Sequence, residues 1–207
     1  MSREMTYPRG AVLADSLVAQ RSLVTDLGLV VAGVFAVALL AQVSIPLWPV
    51  PVTGQTLGVI VVGAALGAKR AMASMATYMV AGVAGLPVFA GFSGGPLTVL
   101  QPSFGYIIGF IFAAGAVGWI AERTWDRQFW KSLPLYLLAS AIPFVVGVPY
   151  LGLVLGAMGQ PNDVATLMAL GFTPFILGGV IKAVIAAGLT PLAWRAVHAL
   201  DAKKKGD

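Results

Sequence analysis

The chain has 207 residues, of which 58% are hydrophobic and 10% charged, with a formal net charge of +5 and a mean hydropathy of +0.90. A soluble domain carries roughly 25% charged residues, so most of this surface must meet lipid rather than water. The lack of cysteine excludes disulfides, thiolate catalysis and zinc–sulfur sites, and the length suits one compact bundle without a second domain.

Residues 1–23 mix Arg3, Glu4, Arg9, Asp15 and Arg21 with small apolar groups. They read as a cytoplasmic N-terminal segment, amphipathic and interfacial, rather than as a cleavable signal. A membrane domain over 24–197 follows, then a basic cytoplasmic tail over 198–207, whose end from Ala202 is expected to be disordered and solvated. Within the membrane domain six apolar segments are predicted as spans, at 24–43, 52–66, 71–86, 103–121, 133–155 and 172–196. The second and third are short, which implies tilt or burial inside the bundle. The fifth is expected to break at Pro143 and Pro149. Pro174 and Pro191 sit near the two ends of the sixth.

The charges test this count. Arg3, Arg9 and Arg21 precede the first span, and Lys69 and Arg70 separate the second from the third. Arg123, Arg127 and Lys131 separate the fourth from the fifth, and Arg195, Lys203, Lys204 and Lys205 close the chain. Six spans put all of these on one face, and the three opposite loops hold no Lys or Arg. The excess of positive charge marks that face, with both termini, as cytoplasmic in a multi-pass membrane protein, and accounts for the net charge without a nucleic-acid partner.

The outward loops, 44–53, 87–102 and around 159–163, are apolar, aromatic and rich in Pro and Gly. Loops of that kind must fold back onto the bundle. The expected architecture is an all-α integral membrane protein, a six-transmembrane-helix bundle whose apolar outward-facing loops cap a ligand cavity.

Lys182 is the thirteenth basic residue and lies deep in the sixth segment. An ammonium at membrane depth costs at least ~2.5 kcal/mol, which makes it a ligand-binding candidate. Snorkelling is the competing reading, but the cytoplasmic charge at Arg195 is more than ten residues away. No acidic residue sits in a span core to pair with it. Gln55 opens the second span and offers both donors and an acceptor; a helix-start role, with Thr53 as cap, competes. Gln101, Ser103 and Tyr106 stand at the mouth of the fourth span, and Ser93 lies in the loop before it. Phe89 and Phe92 are candidates for an apolar wall or for loop anchors. Asn162 is expected to cap a short helix. On the first span Gly28, Ala32 and Ala36 form a smooth stripe at four-residue spacing, suited to contact within the bundle or to docking of another subunit. There is no Walker-type loop, no metal motif and no nucleophile elbow, so no catalytic residue, metal or cofactor is assigned. The single histidine, His198, reads as interfacial.

Three runs of sequence carry a family resemblance. They are Ser44–Gly58 (SIPLWPVPVTGQTLG), Gly82–Gly95 (GVAGLPVFAGFSGG) and Pro102–Tyr106 (PSFGY) with Gly109 and Phe110. They resemble the BioY family, the biotin-specific substrate-binding component of energy-coupling-factor transporters, over about residues 27–195. The resemblance implies capture of biotin near the outer face, and partnership with a transmembrane coupling subunit and cytoplasmic ATPases. It implies a place in the bacterial inner (plasma) membrane, leaves self-association open, and maps the coupling-subunit contact to Ala32 and Ala36. Two positions depart from the family pattern. Gly179 replaces an Asp three residues before Lys182, and Phe104 replaces a Gly, where it is expected to fill space near the site. A different vitamin therefore stands as an alternative ligand, and a membrane-embedded enzyme as a remote one.

Overall fold

The computed structural model describes residues 11–18 and 22–206. Arg3, Glu4, Arg9 and Arg21 lie outside that range, so of the expected N-terminal segment the described part is one short helix, α1 (Leu13–Leu17). Each predicted apolar segment then carries a helix. These are α2 (Leu23–Ala41), α3 (Gln55–Leu66), α4 (Ala68–Val83), α5 (Phe104–Glu122), α6 (Phe129–Ala157) and, after the short α7 (Val164–Gly171), α8 (Thr173–Gly206). An antiparallel ribbon of β1 (Ser44–Ile45) and β2 (Val52–Thr53) joins α2 to α3, a small addition to the all-helical expectation.

Among the described residues, four stretches are long and apolar enough to cross a membrane: Leu23–Ala41, Phe104–Glu122, Phe129–Ala157 and Val164–Leu200. At 1.5 Å per residue, the 12 residues of α3 and the 16 of α4 fall short of a hydrocarbon core about 30 Å thick.

The centre of the bundle is α5, which packs against α3, α4 and α6 and buries residues on every side. A helix with no polar face is what a position among other helices requires. Its glycines permit close approach: a Cβ at Gly109 would stand 2.6 Å from the Cα of Pro143 on α6. The expected break in the fifth segment does not occur, because α6 runs unbroken through Pro134, Pro143 and Pro149. With no water to compete for the freed carbonyls and helices packed alongside, prolines are tolerated inside membrane helices.

The basic residues outside the bundle core gather where α3 turns into α4 and α5 into α6. Gly67 makes the first turn at φ +80°, and the Glu122 carboxylate accepts from the Ala68 N–H at 2.8 Å, at the positive N-terminus of α4. Arg70 pairs at 2.8 Å with both Asp15 and Asp26, tying α1 and α2 to α4. Burial alone would lower its pKa, but the two carboxylates outweigh that and raise it. Trp194 on α8 donates through Nε1 to buried Asp126 at 2.9 Å. Desolvation holds the Asp126 carboxyl above its ordinary pKa, against the Trp194 hydrogen bond and the nearby Arg127 charge.

Two local expectations are corrected. Asp163, not Asn162, caps α7, accepting from the Thr166 N–H at 3.1 Å and its hydroxyl at 2.6 Å, which lowers the Asp163 pKa. Asn162 instead donates to the Gly152 carbonyl at 3.2 Å. The tail is helical in its backbone through Gly206, since Ala and Lys extend a helix already nucleated within the bundle.

Candidate functional site

A cavity of about 400 Å³ opens at the end of the bundle opposite the basic residues. Its lining comes from the α2–α3 loop, the loop between α4 and α5, the N-terminal turns of α3, α5 and α8, and the middle of α6. Of the residues singled out in the sequence, Lys182, Gln55, Tyr106, Ser93, Phe89, Gln101 and Ser103 line it.

Among the described residues, Lys182 is the one charged side chain of the lining. It is half-buried on α8 and donates to the backbone carbonyl of Thr53. The β1–β2 ribbon holds that carbonyl in place, with Ser44 paired to Thr53 and the Gly54 N–H bonded to Val43 O at 2.8 Å. No carboxylate pairs with Lys182 among the described residues. An ammonium has three donors. One is engaged by Thr53, which leaves donors for a ligand. Gly179, one turn earlier, also lines the cavity, and a Cβ there would meet nothing within 4 Å. The departure from Asp at this position therefore leaves open space in the cavity one turn before Lys182.

Gln55 is buried and largely committed to the protein. The Thr53 hydroxyl donates to its Oε1 at 2.7 Å, and its Nε2 donates to the Tyr78 hydroxyl at 2.7 Å. Tyr78 in turn donates to Val88 O at 2.9 Å. This directed chain fixes the amide orientation and braces both cavity loops against α3 and α4. One N–H and one lone pair of Gln55 remain.

The Tyr106 hydroxyl donates to Gly171 O at 2.8 Å, so its ring faces the site more than its oxygen does. That ring stands 5.8 Å from Phe144 and 6.1 Å from Phe175, and Phe144 lies 5.0 Å from Phe172. All four rings line the cavity. Sequence reasoning missed Phe144, Phe172 and Phe175; they come from two helices and the α7–α8 junction, and nothing local marks them as one cluster.

Ser93 donates to Ala90 O at 2.9 Å and Thr98 to Gly95 O at 2.6 Å, so these hydroxyls hold their own loop. Phe89 is buried and packs edge-on against Tyr78 at 5.3 Å. Phe92 does not join it. It is 70% exposed and absent from the lining, because Gly91 and Phe92 both take left-handed backbone (φ 67° and 55°) and the turn carries the ring away. Phe104 also misses the cavity. It is buried against Tyr150 at 6.1 Å, which corrects the expectation that it fills the site. On α2, Gly28 and Ala32 are exposed and Ala36 is partly covered; the bundle-facing residues of that helix are Gly33, Val37 and Ala41.

Comparison with known proteins now places the chain. The BioY family model matches residues 11–199. A biotin transporter BioY of Thermotoga maritima is 35% identical over 161 residues, covering 77% of this chain and 90% of that protein. A probable biotin transporter BioY of Lysinibacillus sphaericus is 32% identical over 184 residues, 87% of this chain and 93% of that one. Among solved structures, a crystal structure of the S-component for biotin from an ECF-type ABC transporter superposes with a TM-score of 0.70. It shares 23% identity and covers 85% of this chain and 95% of its own, a likeness of fold. The chain belongs to the BioY family.

Proposed function

We propose that this chain is the substrate-binding component of a biotin importer, and that it takes biotin into the cavity beside Lys182. The observation that carries the reading is an ammonium, held by one backbone carbonyl, in a mostly apolar chamber with a few neutral polar side chains. Biotin complements it: a carboxylate on a flexible tail, an apolar sulfur ring and a polar ureido ring. Lys182 takes an anionic or carbonyl oxygen of the ligand. The aromatic cluster of Tyr106, Phe144, Phe172 and Phe175, with Phe89, covers the apolar rings. Gln101, Ser103 and the remaining donor of Gln55 serve the polar edge. The family membership and the relatives' biotin-transporter names support this ligand over another vitamin, and a transport component over an enzyme.

In this reading α2, α3, α4, α5, α6 and α8 all belong to the membrane bundle: α3 is short and mostly buried among its neighbours, whereas α4 buries one face and leaves Met72 and Val80 to the lipid. The loops at 44–53 and 87–102 close over the ligand. The basic end, with both termini, faces the cytoplasm. The chain has no nucleotide motif, so import requires a transmembrane coupling subunit and cytoplasmic ATPases, and the exposed Gly28 and Ala32, with Ala36, form the docking stripe.

The test is ligand binding by the purified full chain, measured by calorimetry and thermal shift against a panel of vitamins. Stabilisation by biotin alone is expected. Stabilisation by a different vitamin, with biotin inert, would overturn the assignment.

A further inference from the structure

Away from the cavity, an apolar groove of about 180 Å³ runs between α5 and α6, lined by Ala116, Trp119 and Ile120 on one wall and Leu135, Leu138, Ala139 and Ile142 on the other. Its basic end is framed by two cations. Arg123, the C-cap of α5, follows Trp119 by four residues, and Lys131, in the first turn of α6, precedes Leu135 by four, so both stand at the same end of the groove. Arg123 is more than a neighbour in register: its guanidinium lies 3.4 Å from the centroid of the Trp119 ring, and its Nη1 donates to Trp119 O at 3.3 Å. The charge is thus held directly over a groove-lining side chain, with further N–H donors free of that bond. Both cations are exposed. The acidic residues of this end turn elsewhere, Glu122 to the Ala68 N–H and buried Asp126 to Trp194. The mouth of the groove is therefore positive while its walls are apolar.

We propose that this groove is a binding site for a phospholipid with an anionic headgroup. An acyl chain lies between Trp119 and Leu138, and the phosphate meets Arg123 and Lys131. Charge complementarity selects the occupant: a zwitterionic lipid fills the same walls but gains less from two cations at the mouth, each of which contributes about fivefold near an anionic lipid surface.

The test uses the purified full chain in detergent, by native mass spectrometry with equimolar phosphatidylglycerol and phosphatidylcholine. Wild type is expected to retain phosphatidylglycerol preferentially, by roughly fivefold or more. R123Q/K131Q is expected to bring the two lipids to parity with biotin binding unchanged. Ala116→Leu, which narrows the groove and leaves the cations in place, is expected to reduce both adducts. The single variant K131Q gives an independent readout should the double variant not fold. Equal retention of both lipids by wild type, or a phosphatidylglycerol preference that survives in K131Q and R123Q/K131Q, overturns the proposal. Displacement of phosphatidylglycerol by millimolar inorganic phosphate, with Ala116→Leu behaving as wild type, would also overturn it, by showing a bare anion site.

Discussion

The side-chain amide of Gln42, at the C-terminal end of α2, donates from Nε2 to the carbonyl of Phe89 at 3.1 Å. Its Oε1 accepts from the Phe92 N–H at 3.0 Å, so one side chain grips both sides of the turn that lines the cavity. The same helix carries the Gly28–Ala36 stripe. Gln42 thus joins the proposed docking helix to the proposed lid. Hydrogen bonds of this kind contribute about 1 kcal/mol each. Gln42→Ala is expected to raise the biotin dissociation rate about tenfold and to lower Tm by a few degrees, and Gln42→Glu, which keeps the acceptor, to fall between. A dissociation rate identical to wild type would separate this clamp from ligand retention.

Lys182→Ala is expected to weaken biotin binding by about tenfold to a hundredfold, since a charge-assisted hydrogen bond contributes roughly 1.5–3 kcal/mol. Comparing biotin with its methyl ester identifies the oxygen involved. If Lys182 meets the carboxylate, wild type discriminates strongly between the two and Lys182→Ala does not. Calorimetry showing a folded Lys182→Ala protein with wild-type affinity would remove the residue from the site.

Glycines on two faces of the bundle predict opposite outcomes. A Cβ at Gly28 meets nothing within 4 Å. Gly28→Leu and Ala32→Leu are therefore expected to leave the isolated chain's Tm and biotin affinity unchanged while reducing co-purification with the proposed coupling subunit. Gly109→Ala forces a methyl against the Pro143 backbone, and overpacking of this sort costs about 1–3 kcal/mol. A lowered Tm in Gly28→Leu would show that this face is already covered within the chain.

Asp126 gives a pH prediction. Its folded-state pKa is raised, chiefly by desolvation, so the native state binds the proton more tightly than the unfolded chain does. That contribution is complete below the ordinary Asp value and is lost as pH rises through the elevated one. Asp126→Asn keeps an acceptor for Trp194 and removes the titration. Its Tm relative to wild type is expected to be more favourable at pH 7 than at pH 4, read by intrinsic tryptophan fluorescence. The reverse ordering would mean that the nearby Arg127 charge outweighs burial.

Much of this was legible in the sequence because lipid imposes one simple rule. Every backbone polar group must be satisfied within its own segment, so long apolar stretches become helices, and basic residues mark the face that is not translocated. The six helix positions and the prominence of Lys182 follow from that rule. Prolines misled it at α6, where the packed bundle overrode a local preference learned in water.

What only the tertiary structure decided is which groups meet across the chain. The Thr53 carbonyl that receives Lys182 stands 129 residues away from it in sequence, and Gln55 reaches Tyr78 across 23. The aromatic cluster joins three elements, while Phe92 and Phe104, equally suggestive in the sequence, are carried away from the cavity by a left-handed turn and by packing on Tyr150. Periodicity and charge report how each segment meets its solvent. They hold no information about which faces of distant segments converge, because that is settled by side-chain packing between helices and by the backbone path of the loops that connect them.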